Sequence, residues 1–125
     1  MNIGGAVAKI AILLLGPAKK YLSRKNTKSL VLRDIRYIQE SILTMSPMPL
    51  REALDAVINR MADFQNKWDE PLFDGDMEAQ LARQKSKIVK IERMQVKPKY
   101  GLGSLVYSKY KKEVHTTKYI LSKFK

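Results

Sequence analysis

Apolar positions in the middle of the chain recur at every third or fourth residue. Two successive segments share this pattern, residues 27–45 with Val31, Ile35, Ile38, Ile42 and Met45, and residues 50–68 with Leu50, Leu54, Val57, Met61, Phe64 and Trp68. The spacing gives each segment one apolar helical face and fits no strand alternation. Pro47 and Pro49 separate the segments, since proline ends a helix yet is tolerated in the first turn of the next. The pattern predicts an antiparallel helical hairpin.

A third helix is predicted over residues 77–95, after a loop at residues 69–76 with Asp76 as its cap. Its stripe is weaker, consisting of Met77, Leu81, Ile88 and Ile91. Gln84 and Lys85 interrupt the stripe, so we expect the first half of this helix to be solvated or to lie on a polar surface. Residues 87–97 also show some alternation, which leaves a strand as the less favoured alternative.

The last segment, residues 97–125, follows a break that contains Pro98, Gly101 and Gly103. Its apolar and aromatic residues have helical spacing, yet its Val, Tyr and Thr content also suits a β-hairpin or an extended arm. The predicted fold class is therefore all-α: an antiparallel helical hairpin plus a third helix, with an apolar N-terminal helix and a basic C-terminal segment of undecided conformation. We divide the chain into residues 1–26, the helical core 27–96, and residues 97–125.

Residues 3–16 are apolar except for Lys9. A secretory signal would carry its charges before the apolar run, whereas here they follow it, so we expect no cleaved signal. Fourteen helical residues rise only about 21 Å, which is short for a membrane span. We expect this end to dock on a protein or a lipid surface through Ile3, Val7, Ile10, Ile12, Leu13, Leu14, Leu15, Lys19 and Lys20.

The charge of the chain is strongly positive and uneven. Twenty-four Lys and Arg oppose twelve Asp and Glu, for a net charge of +12. Residues 1–26 hold five bases and no acid, and residues 97–125 hold eight lysines and one acid, whereas the centre is nearly neutral. Such an excess favours polyanionic partners, namely nucleic acid, anionic lipid or an acidic protein surface.

The C-terminal segment is the best candidate for polyanion binding because its lysines interleave with aromatic residues. The candidate contacts are Lys97, Lys99, Lys109, Lys111, Lys112, Lys118, Lys123, Lys125, Tyr100, Tyr107, Tyr110 and Tyr119. Lysines neutralise phosphates and aromatic rings stack on exposed bases. The segment has no arginine, so binding should be non-specific. In the competing interpretation the tyrosines are half-buried and the lysines only solvate the outer face.

The sequence offers few residues for catalysis, metal binding or nucleotide binding. There is no cysteine, and His115 is the only histidine, so transition-metal sites and nucleophilic triads lack their residues. The acidic residues between 69 and 78 do not match a calcium-binding loop and suit a solvated, helix-capping loop better. Residues 100–104, YGLGS, lack the lysine and hydroxyl of a phosphate-binding loop. We therefore expect no enzyme activity, no cofactor, no metal and no small-molecule substrate.

These observations favour a small basic structural or accessory protein of a larger assembly, such as a virion or another nucleoprotein particle. Its partners would be other protein chains of the assembly and, non-specifically, nucleic acid. The alternative is a membrane-associated protein that is anchored by residues 3–22, with basic residues on anionic lipid. Either interpretation places the chain within an assembly or at a membrane surface.

Overall fold

A computed structural model describes residues 23–95 and 103–125 of the chain. Four helices make up nearly all of this part: α1 (Arg24–Ser41), α2 (Pro47–Trp68), α3 (Gly75–Gln95) and α4 (Gly103–Ser122). A short 3-10 turn, Ile42–Thr44, follows α1 directly. The described residues contain no strand, so the all-α prediction is confirmed. Both ambiguous segments, at residues 87–95 and 103–122, are helical.

The four helices alternate in direction. Arg24, at the start of α1, pairs with Glu70, just past the end of α2, at 3.0 Å. Arg51, in the first turns of α2, pairs with Glu92, near the end of α3, at 2.8 Å. Lys123, just past α4, reaches the first turns of α3. Sequence neighbours are therefore antiparallel, and α4 also packs on α1, which closes an up-down-up-down four-helix bundle.

The core lies along the shared axis and takes one apolar stripe from each helix. The predicted stripes are buried from Val31 to Met45 in α1 and its 3-10 turn, and from Leu50 to Phe64 in α2. Trp68 is the exception, because its side chain is 47% exposed. It ends α2 at one pole of the bundle, where its ring lies 6.4 Å from that of Phe64 in a tilted arrangement. Trp68 therefore belongs to the apolar face predicted for this helix but is not covered by the core.

Gln84, in the first half of α3, is buried against polar groups of α4 and is not solvated. Gln84 is 2% exposed, and its Nε2 donates to Glu113 Oε1 at 2.9 Å and to Thr117 Oγ1 at 3.1 Å. A buried amide is tolerated where its hydrogen-bonding groups are satisfied, so a glutamine in a stripe need not mark a solvated face. Lys85 points toward α2, where it pairs with Asp55 at 3.1 Å.

The start of α3 is capped two residues earlier than the sequence suggests. Asp74 Oδ1 accepts hydrogen bonds from the amides of Asp76 and Met77, at 2.9 and 3.1 Å. Glu78 Oε2 accepts from the amide of Phe73 at 2.9 Å. Asp74 therefore satisfies the free amides of the first turn, and Asp76 is not the cap.

The domain boundaries predicted from the sequence can be compared with the bounds of the observed helices. The boundary between residues 26 and 27 falls inside α1, which begins at Arg24. Residues 103–122 form the fourth helix of the bundle. The predicted docking element, with Ile3, Val7 and the other residues up to Lys20, lies outside the described residues.

Candidate polyanion-binding face

Helix α4 presents lysines to solvent because its apolar residues occupy the opposite side. Val106, Tyr110, Val114, Thr117 and Leu121 recur at helical spacing and are buried. The lysines between these positions are exposed, at residues 109, 111, 112 and 118. The local sequence thus fixes a basic outer surface on a helix whose inner side is firmly packed.

The exposed side of α4 next to α3 carries the stripe Leu105, Lys109, Lys112, Thr116, Tyr119 and Lys123, with spacing 4, 3, 4, 3, 4. Lys123 Nζ lies 3.2 Å from Gln80 Oε1 of α3, which fixes where the stripe borders that helix. The same ammonium group lies 5.0 Å from the centre of the Tyr119 ring. Lys123 is half-buried, whereas Lys109, Lys112 and Tyr119 are exposed.

Helix α3 carries a matching stripe of cations. Arg83, Lys87 and Lys90 follow Gln80 with spacing 3, 4, 3, so they share its side of the helix. All three are exposed. Because α3 and α4 are antiparallel and Gln80 contacts Lys123, the two stripes run side by side. We call the set Arg83, Lys87, Lys90, Lys109, Lys112 and Lys123 the basic face.

Within the described part of the chain, no carboxylate forms an ion pair with the basic face. Glu113 is the only acid of α4, and it turns toward Gln84 in the interface with α3. None of the six cations forms an ion pair with a carboxylate of residues 23–95 or 103–125. Six like charges on one surface create a positive potential that attracts a polyanion.

Reasoning from the sequence missed Arg83, Lys87 and Lys90. The signal was present, since these cations recur at helical spacing with no acid among them. It was overlooked because residues 71–96 hold five bases against four acids. Of the acids in α3, Asp76 lies one turn before Gln80 on the same side, whereas Glu78 and Glu92 lie on other sides of the helix. Glu92 faces α2, where it bonds Arg51. Arg83 also adds a guanidinium, a group that the C-terminal segment lacks.

The structure separates the other predicted contacts from the basic face. Tyr110 is buried at 6% exposure, and its hydroxyl donates to the carbonyl oxygen of Met45 at 2.7 Å. Burial also raises the pKa of its hydroxyl. Its ring belongs to the core, so the prediction that it stacks on a ligand is wrong. Tyr107 and Lys111 line a groove on the far side of α4.

The remaining candidates are divided between exposed and undescribed positions. Lys118 and Lys125 are exposed. Lys118 follows Lys111 by seven residues and so shares its side of α4. Lys97, Lys99 and Tyr100 lie outside the described residues.

The acidic loop before α3 has structural roles. Glu70 pairs with Arg24, and Asp74 and Glu78 accept backbone hydrogen bonds at the start of α3. Burial raises the pKa of Glu78, partly opposed by its hydrogen bond from Phe73. In the described ranges, no three His, Cys, Asp or Glu side chains are grouped as a metal ion would require.

Membrane association was the alternative interpretation of the sequence. None of α1 to α4 combines the length and apolar character that crossing a bilayer demands. The predicted anchor, residues 3–22, lies outside the part of the chain to which this finding applies.

The basic face is thus a surface of six cations contributed by two packed helices and the residue that follows α4. No protein-family model matches the chain, and comparisons with curated proteins and with solved structures gave no match either.

Proposed function

We propose that the protein binds nucleic acid non-specifically through the basic face. The observation that carries the proposal is the pairing of two antiparallel cationic stripes on α3 and α4, none of whose cations forms an ion pair with a described carboxylate. Lysine and arginine side chains bind phosphates and release condensed counterions, which supplies most of the free energy of non-specific binding.

The composition of the basic face argues against sequence readout. Five of its six cations are lysines, which act as flexible point charges and position a phosphate backbone without reading base edges. Tyr119 lies at the border of the face, beside Lys123, and its ring is 65% exposed. An exposed aromatic ring next to cations gives a platform on which an unpaired base can stack. Both duplex and single-stranded segments would therefore be accepted.

The cellular role that fits this binding mode is a non-enzymatic one. A small, rigid bundle with one basic surface suits an accessory or structural component of a nucleoprotein assembly. The docking of residues 3–20 on another chain of that assembly remains a prediction from the sequence.

The test compares two triple variants of equal net charge. Lys87→Gln/Lys109→Gln/Lys112→Gln removes three charges from the basic face, and Lys25→Gln/Lys67→Gln/Lys118→Gln removes three exposed charges elsewhere. Fluorescence anisotropy with a 20-base-pair duplex, measured across about 50 to 200 mM salt, gives the affinity and its salt dependence. We expect the face variant to bind at least about tenfold more weakly, with a salt slope reduced by about 3.

The control variant should keep the affinity within about twofold and retain most of the salt slope. Equal losses in the two variants would show that net charge alone attracts the DNA, and would contradict a specific face. Anionic phosphatidylserine vesicles are the second arm of the experiment. Binding to vesicles without binding to DNA would favour the membrane alternative and contradict the proposal.

A further inference from the structure

A groove lies on the side of α4 away from the basic face, and its lining is mostly apolar. It has a volume of about 490 Å³, within the range of small-ligand sites. One wall is the link between α1 and α2, residues 43–47, and the other is the first half of α4, residues 107–115. Leu43, Met45, Pro47 and Val114 make most of its lining apolar.

Lys111 is the one charged residue among the described residues that line the groove, and it is accompanied by neutral polar side chains. Lys111 and His115 both line it and are exposed to solvent, and no carboxylate lines it. Ser46 also lines the groove and occupies the cap position of α2, where its hydroxyl makes no capping hydrogen bond. Helix α2 begins at the same place, and its first turn contains no acid.

Exposed apolar side chains continue the groove into solvent. Leu43 is 61% exposed and Tyr107 is 62% exposed, and these side chains lie on the two opposite walls. At the floor of the groove, the hydroxyl of the buried Tyr110 donates a hydrogen bond to the carbonyl oxygen of Met45 at 2.7 Å. A preformed, mostly apolar slot with a lysine at its rim matches a ligand with an apolar tail and an anionic head.

We propose that this groove binds an anionic amphiphile, with the aliphatic chain between Leu43 and Val114 and the headgroup at Lys111 and His115. A carboxylate and a phosphate monoester share the required chemistry, since both accept charge-assisted hydrogen bonds from an ammonium group. The site is separate from the basic face and does not depend on nucleic-acid binding.

The probes are sodium decanoate, decyl phosphate and decyltrimethylammonium, each below its micellar concentration. Binding is followed by calorimetry and by amide chemical shifts in the full chain. We expect both anions to give saturable shifts confined to residues 43–46 and 107–115, and the cation to give none. The tighter of the two anions identifies the headgroup. Binding of all three probes alike, or of none, would overturn the proposal.

Two matched pairs of variants test the two parts of the site. Lys111→Glu should weaken binding of the anions by about tenfold or more, whereas Lys118→Glu, one heptad away on α4, should leave it within about twofold. Leu43→Asn should weaken binding as well, and Leu105→Asn, an equally exposed leucine outside the groove, should not. All four positions are exposed, so each variant is expected to fold. Equal effects within either pair would show that the groove is not the site.

Discussion

The hydroxyl of Tyr110 donates a hydrogen bond to the carbonyl oxygen of Met45 at 2.7 Å, joining the fourth helix to the link that follows the first. Both residues are nearly fully buried. Tyr110→Phe keeps the ring and leaves that carbonyl without its partner, so we expect a loss of about 1 to 2 kcal/mol in the free energy of unfolding. Urea denaturation should show a lower midpoint with an unchanged slope.

Tyr107→Phe, on the same helix but 62% exposed, is the matched control and should change stability by less than about 0.5 kcal/mol. A Tyr110→Phe protein as stable as the wild type would mean that this hydrogen bond contributes no net free energy.

Asp34 is predicted to make the bundle less stable as the pH rises. It is 1% exposed, and its carboxylate oxygens have no hydrogen-bond partner in the described residues. Burial raises its pKa to about 6 from 3.8, against the opposing charges of Arg33 and Arg60. A raised folded-state pKa means that stability is full below pH 3.8 and falls as the pH passes through 6. The full effect is about 3 kcal/mol.

Asp34→Asn removes the ionisation and keeps the shape of the side chain. The variant should match the wild type near pH 3.5 and exceed its stability by about 2 to 3 kcal/mol above pH 6.5, measured by urea denaturation at each pH. Asp63→Asn, at an exposed position of α2, should give no such pH-dependent gain. A gain for Asp34→Asn that is independent of pH would contradict an ionising carboxylate.

Glu92 is predicted to stabilise the bundle in its ionised form, so that its contribution to stability is lost as the pH falls. Its carboxylate accepts two hydrogen bonds from Arg51, at 2.8 and 3.0 Å, and these bonds lower its pKa. Glu92→Gln should therefore cost about 1 kcal/mol at pH 7, and the cost should fade as the pH drops below the ordinary range of a glutamate and through the lowered pKa. Thermal denaturation at pH 7 and pH 3 measures both values. Glu52→Gln, exposed on α2, is the control. An equal loss of stability in this variant would contradict a specific contribution of the Arg51–Glu92 ion pair.

Gln84 is predicted to secure the interface between α3 and α4. Gln84→Leu removes its hydrogen bonds to Glu113 and Thr117 and leaves the half-buried Glu113 carboxylate without that donor. We expect a loss of about 1 to 3 kcal/mol in urea denaturation. Gln65→Leu, at an exposed position, should be close to neutral. A stabilised Gln84→Leu protein would show that apolar packing outweighs the amide at this position.

Helical spacing predicted the scaffold because burial follows periodicity directly. Val31 to Met45, and Leu50 to Phe64, are buried as their spacing requires. The same logic failed at Trp68 and Gln84 for reasons that a single stripe does not contain. Trp68 ends its helix at a pole, where fewer neighbours cover it, and Gln84 meets partners on α4, which lies 29 to 33 residues later in the chain.

Only half of the basic face could be predicted from the sequence. Charge along the C-terminal segment indicated Lys109, Lys112 and Lys123. The net charge of the segment that contains α3 is small, and it hides cations that lie on one side of the helix. Pairing of stripes from two helices requires knowledge of which helices are neighbours. The groove is also a product of tertiary packing, because its two walls are separated by about sixty residues of sequence.

The alternating topology determines which end of the molecule stays accessible when the protein is immobilised on a surface. Phe73 contacts Lys28, near the start of α1, and Phe124, next to the last residue, with ring centres 5.2 Å apart in the second pair. The described chain thus begins and ends at one pole, about 27 Å of helix from the link that walls the groove. A sensor chip that captures the protein through Lys125 would leave the amphiphile groove facing the flowing solution.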